Sequence, residues 1–137
     1  MSSRILVVDD SSTMRSLLVS TLEDLGSFEI EETSSGFEAL KFLSRGRPDL
    51  IITDINMPDI NGLELVSFVK RNPLTKEIPL IIVTTERGDR DRAKGLELGA
   101  DEYLTKPFDP AMLQRLVAKH LGLGRETRTG GEGTRRG

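Results

Sequence analysis

Short apolar runs alternate with amphipathic stretches along this chain, and that alternation restricts the fold more than any other feature. Ile5–Val8, Leu50–Thr53 and Leu80–Val83 are runs rich in Ile, Val and Leu. Runs of this kind are strands buried on both faces, the habit of a parallel sheet. Phe28–Glu32 alternates instead and reads as a half-exposed edge strand. Asp101–Thr105, the stretch DEYLT, carries the faintest strand pattern. Between these segments the period changes. Met14, Leu17, Leu18, Thr21, Leu22 and Leu25 recur at helical spacing, with Ser or Asp available to cap and Gly26 to stop. Phe37, Leu40 and Leu43 mark a second helix. Leu63, Val66 and Val69 mark a third, ended by Asn72-Pro73. Ala93, Leu96 and Ala100 mark a fourth, and Met112, Leu113, Leu116, Val117 and His120 a fifth. Strand then helix, repeated along the chain, predicts a parallel α/β sheet with helices on both faces.

In such a sheet a ligand binds at the carboxyl ends of the strands. The first strand delivers Asp9 and Asp10 there. The third delivers Asp54, the fourth Thr84 and the fifth Lys106. Three carboxylates in one crevice repel each other and raise each other's pKa values. A hard divalent cation removes that conflict, and Mg²⁺ takes one or two carboxylates while keeping several waters. With a metal and a lysine beside it, a carboxylate can stay ionised and attack phosphorus. Lys106 and the cation would then offset charge on a transferring phosphoryl group, with Thr84 donating a hydrogen bond. The adjacent pair suits metal holding, which leaves Asp54 as the nucleophile.

Each residue also has a plainer reading when taken alone. Asp10 or Ser11 can cap the following helix. Thr84 can be an ordinary strand end, Lys106 a solvated charge and Tyr103 half-buried packing. The combination at matching strand ends favours the site. His120 is the single histidine. It falls in a last helical turn, where a cation suits the dipole, and no catalytic or phosphotransfer role is expected for it. Gly62 is expected to serve a turn or a helix start.

Taken together, ILVVDDSSTMR, DINMPDINGLELV, VTTE and YLTKPF resemble the receiver domain of two-component response regulators. The resemblance covers about residues 4 to 122 and is strongest to the stand-alone, chemotaxis type. It implies a flavodoxin-like, doubly wound sheet of five parallel strands in the order 2-1-3-4-5 with five helices. It implies that a sensor histidine kinase phosphorylates Asp54. Asp10 and Asp54 would bind Mg²⁺ by their side chains, Asp9 through water and Asn56 through its backbone carbonyl. Lys106 would contact the phosphoryl group and precede a cis Pro107. Thr84 would swing toward the phosphoryl oxygen, and Tyr103 would then turn inward. That change would reshape the face of the fourth helix, fifth strand and fifth helix, which a downstream target protein reads. Asn56 and Glu86 occupy the two positions that tune phosphoryl lifetime, and an amide with a carboxylate there implies a short one. Thr85 departs from the small residue found in many relatives, which puts the rates of the switch in question rather than its existence.

Composition removes several alternatives. A net charge of −3 gives no support to nucleic-acid binding. The absence of cysteine excludes disulfides and thiolate metal sites. The residues after the first strand, DDSSTM, would repel a pyrophosphate, and the glycine fingerprint of a dinucleotide enzyme is missing. An Asp-nucleophile phosphatase would need a second acid where Asn56 stands. A receiver used only as a constitutive interaction surface, a phosphorelay shuttle and a fragment of a longer regulator are the remaining alternatives. No apolar stretch suits a signal peptide or membrane span, so the expectation is a cytoplasmic monomer with no membrane partner. The domain is expected over residues 1–123. Residues 124–137 have no hydrophobic side chain and are expected to form a disordered tail, either a basic docking segment or linker or an inert end.

Overall fold

All five strand segments form strands in the computed structural model, which describes residues 2–123. The expected tail, residues 124–137, lies outside the described residues. In chain order the elements are β1 (Arg4–Val8), α1 (Ser12–Leu25), β2 (Glu29–Thr33), α2 (Gly36–Leu43), β3 (Leu50–Thr53), α3 (Gly62–Arg71), β4 (Leu80–Thr84), α4 (Asp89–Glu97), β5 (Glu102–Thr105) and α5 (Pro110–Leu121). Every strand pairing is parallel and the order is β2-β1-β3-β4-β5, the flavodoxin-like arrangement. No helix among the described residues is long and apolar enough to cross a membrane.

The alternation of the strands builds two cores. Leu6, Val8, Ile51, Leu80 and Ile82 face one side and pack with Leu65, Val66 and Val69 of α3 and Ala39 and Phe42 of α2. Ile5, Val7, Leu50, Ile52, Ile81 and Val83 face the other and meet Leu18 and Leu22 of α1 and Leu113 and Val117 of α5. The central strands are buried on both faces, which is why their sequences lack polar alternation. Pairing puts Val8 beside Thr53 and Thr84 beside Thr105, so the carboxyl ends of the strands finish near one line.

Local chemistry sets the helix ends. Ser11 caps α1, its hydroxyl accepting from the Met14 N–H at 3.2 Å, so Asp10 is left free of that duty. Asn61 caps α3 in a reciprocal box with Glu64, and Asn72 ends the helix. Asp59, in the loop between β3 and α3, accepts from the N–H groups of Gly36 and Phe37 at 3.2 and 2.9 Å. It thereby ties the start of α2 to the loop that carries Asp54.

One expected face is corrected. Ala93 and Leu96 of α4 point to solvent, and Leu96 is 41% exposed. Gly95 is the buried residue of α4. A side chain there would meet Ile82 and Tyr103, so the helix lies close to the sheet through its missing Cβ and not through an apolar stripe. Ala100 is buried but lies after the helix. Gly62 begins α3 as expected, for a reason the sequence did not carry. A Cβ there would overlap the Asp54 carbonyl oxygen and stand 2.7 Å from Ile55 Cα.

Two outcomes follow from these contacts. Gly62→Ala should lower unfolding stability by roughly 1–3 kcal/mol, the usual range for overpacking, read from urea unfolding. The N–H groups of Ile60 and Phe37 hold the Asp59 carboxyl below its ordinary range. A depressed carboxyl contributes stability above its unfolded pKa and loses it as pH falls through the folded one. The gap in urea midpoint between wild type and Asp59→Ala should therefore be full at pH 7 and narrow as the pH is taken below about 4.

Candidate functional site

Where the strands end, the chain must leave the sheet, and polar groups replace apolar ones. Asp9 and Asp54 are nonetheless buried, 1% and 7% exposed, while Asp10 is exposed. One carboxylate oxygen from each of the three lies within 4.8 Å of the others. Burying ionised carboxylates is costly unless they are paired. Lys106 supplies the pairing: its Nζ donates to Asp9 Oδ2 at 2.8 Å and to Asp54 Oδ2 at 3.1 Å. Burial pulls the Lys106 ammonium down, but the bonds and charges of Asp9 and Asp54 outweigh it and leave its pKa raised.

The remaining acceptor atoms are occupied unequally. Asp9 Oδ1 accepts from the Ser11 N–H at 2.9 Å. Asp54 Oδ1 accepts from the Ile55 and Asn56 N–H groups at 2.6 and 3.4 Å. Asp10 carries no side-chain hydrogen bond among the described residues. Three carboxylates against one ammonium leave about two negative charges, which a single divalent cation matches. The donor set is oxygen only, which suits Mg²⁺ and not a nitrogen- or sulfur-seeking metal. Both oxygens of Asp9 and both of Asp54 already accept hydrogen bonds, which leaves the exposed Asp10 carboxylate as the unengaged acceptor of the three among the described residues.

Thr84 is fully buried at the next strand end. Its Oγ accepts from the Glu86 N–H at 3.3 Å, and its carbonyl accepts from the Lys106 N–H at 2.7 Å. The Lys106–Pro107 bond is cis, as expected. Asn56 and Glu86, the amide and carboxylate paired in the sequence reading, meet: Asn56 Nδ2 donates to Glu86 Oε2 at 2.6 Å. Thr85 is exposed. Tyr103 is already turned inward, 5% exposed, its hydroxyl donating to the Glu86 carbonyl at 2.8 Å. Burial pushes its phenol up, aided by the Asp91 and Glu86 charges, so it stays a donor. His120 lies apart from this crevice and meets Glu102 Oε2 at 2.9 Å.

Three arginines escaped the sequence reading. Arg87 donates to the Lys106 carbonyl at 2.8 Å and joins the loops after β4 and β5. Arg92 covers the Tyr103 ring, 5.6 Å from its centroid, and donates to the Tyr103 carbonyl at 3.2 Å. Arg15 donates to the Asp9 carbonyl at 2.6 Å. Each targets a backbone carbonyl outside its own loop or helix, and no residue pattern announces such a bond. Arg15 alone left a trace, a cation in the first turn of a helix.

Comparison with known proteins gives this arrangement a family. The chain is 41% identical to the chemotaxis protein CheY homologue of Campylobacter jejuni, over 88% of this chain and 94% of that one. The structure of the chemotaxis response regulator CheY4 of Vibrio cholerae aligns at a TM-score of 0.79 with 35% identity, covering 87–88% of this chain and 98–99% of that one. The receiver domain of a Pseudomonas aeruginosa sensor histidine kinase aligns at 0.80 with 27% identity, over 89% of this chain and 99% of that one, and holds a magnesium ion in its active-site cleft. The acidic crevice of Asp9, Asp10 and Asp54 is consistent with a magnesium site of that kind. Residues 5–118 match the response regulator receiver domain model, and the chain belongs to that family, as a CheY-like receiver of two-component signalling.

Proposed function

We propose that Asp54 accepts a phosphoryl group from a phosphohistidine of a sensor histidine kinase, and that the acyl phosphate switches a protein-binding face in chemotaxis or motility control. The observation that carries this reading is the position of Asp54. Its Oδ1 is held by two backbone N–H groups, and its Oδ2 faces the Lys106 ammonium in a crevice with two further carboxylates. Oδ2 is then the attacking atom. The Asp54 O–P bond forms as the P–N bond to the donor histidine breaks, and the leaving imidazole takes up a proton. Lys106 and the Thr84 hydroxyl take the oxygens of the transferred group. Asp10 and Asp54 would hold Mg²⁺ directly, Asp9 through water and Asn56 through its carbonyl. When bound, the ion neutralises charge on the phosphoryl oxygens.

Drawing the Thr84 hydroxyl toward the phosphoryl group breaks its bond from the Glu86 N–H. The same loop holds the Glu86 carbonyl on which the Tyr103 hydroxyl rests. Thr84 and Tyr103 therefore respond together, and the surface of α4, β5 and α5 changes with them. The likeness to chemotaxis proteins over nearly the whole chain supports output through protein contact. Removal of the group requires water at phosphorus, and in this reading the hydrogen-bonded pair of Asn56 and Glu86 governs its approach. The receiver thus also promotes its own dephosphorylation.

Incubation with Mg²⁺ and acetyl phosphate should give one phosphoryl adduct by intact mass. The adduct should be absent in Asp54→Ala and reduced in Asp10→Asn. An adduct that survives Asp54→Ala would sink this reading, and turnover of unrelated phosphate esters would favour a phosphatase instead. Asn56→Arg, which crowds the path of the water, should lengthen the half-life of the adduct about tenfold, or about 1.4 kcal/mol in barrier. Decay of the adduct after donor removal measures it.

A further inference from the structure

We propose that Arg15 is a positioning residue for the metal site, acting through the peptide that joins Asp9 to Asp10, with Glu32 as its anchor; this rests on the magnesium reading above. Arg15 lies in the first turn of α1, where the helix dipole disfavours a cation. Its side chain is nevertheless drawn in, 19% exposed. One end of the guanidinium donates to the Asp9 carbonyl at 2.6 Å, and the Nε donates to Glu32 Oε1 at 3.3 Å. The fork therefore spans the ends of β1 and β2 and bonds both.

The Asp9 carbonyl belongs to the peptide whose other end carries Asp10. Asp9 is already fixed at its remaining polar atoms. Its N–H donates to the Thr33 carbonyl at 3.1 Å, and its two carboxylate oxygens accept from Ser11 and Lys106. With Arg15 on the carbonyl, the plane of the Asp9–Asp10 peptide is set, and with it the direction in which the Asp10 carboxylate leaves the backbone. Asp10 has no hydrogen bond of its own among the described residues, so the peptide is what aims it. Groups that orient metal ligands without touching the ion commonly change affinity by about 10–100-fold when removed.

Charge and positioning predict opposite signs. Arg15 places a positive charge near the acidic cluster, so charge alone makes Arg15→Ala bind Mg²⁺ more tightly. Positioning makes it bind more weakly. Titration calorimetry with MgCl₂ on the full chain should show affinity about tenfold lower in Arg15→Ala. Arg15→Lys keeps the charge but replaces the planar fork, whose Nε and terminal nitrogen reach Glu32 and the carbonyl separately, with one flexible nitrogen, and should also bind more weakly; it serves alone if the alanine variant does not fold. In phosphorylation by acetyl phosphate, the Mg²⁺ concentration for half-maximal rate should rise while the rate at saturating Mg²⁺ stays at the wild-type value. Unchanged or tighter binding in Arg15→Ala, or wild-type affinity in Arg15→Lys, overturns the proposal. Weakened binding in Asp10→Asn with wild-type binding in both Arg15 variants defeats this proposal alone. No Mg²⁺ binding by the wild-type chain defeats the metal reading and this one with it.

Discussion

The Lys106 ammonium between Asp9 and Asp54 is the interaction on which the rest of the site depends. Two buried carboxylates at neighbouring strand ends would repel each other and resist desolvation. One amine, on the residue just after β5, satisfies an oxygen of each. Such a bridge is weak evidence for stability, because taking three charges out of water offsets much of their attraction. Its value is in geometry. It holds three strand ends in a fixed relation and leaves the cluster short of positive charge, so the crevice is folded yet still prepared for a cation and an anion.

The sheet makes that geometry available. Parallel pairing carries all five strands in one direction, so residues far apart in sequence finish at one edge. The two cores fix the strands from both sides. Gly62 then lets α3 start against the backbone of Asp54 itself. The placement of Asp54 is in this sense a packing result, since the strand it follows is pressed between apolar side chains and a helix end without a Cβ.

The strands and the acidic edge were legible because they rest on period and on strand termini. Ile51 and Ile52 declare burial on opposite faces without any knowledge of partners. Asp9, Asp54 and Lys106 follow once the strands are placed. Other features were hidden, each for a physical reason. The inward face of α4 is a glycine, and a missing side chain leaves no hydrophobic signal. The Asn56–Glu86 bond joins two loops, and loop approach depends on the whole sheet. Tyr103 was expected to turn inward after phosphorylation. Here its ring is already inside under Arg92, a balance of burial and stacking that composition cannot weigh.

The shallow seating of α4 has a further consequence. The other helices drive side chains such as Leu18, Phe42, Leu65 or Leu113 into the cores, whereas α4 buries Gly95. Displacing a helix costs in proportion to the apolar surface it gives up, so α4 is the element of the sheet's periphery that moves at least expense. The molecule therefore has a gradient of stiffness, rigid at the strands that fix its charges and compliant at one helix. Any rearrangement at the carboxyl edge of the sheet would be taken up first where resistance is lowest, so uneven anchoring alone can give a displacement its direction.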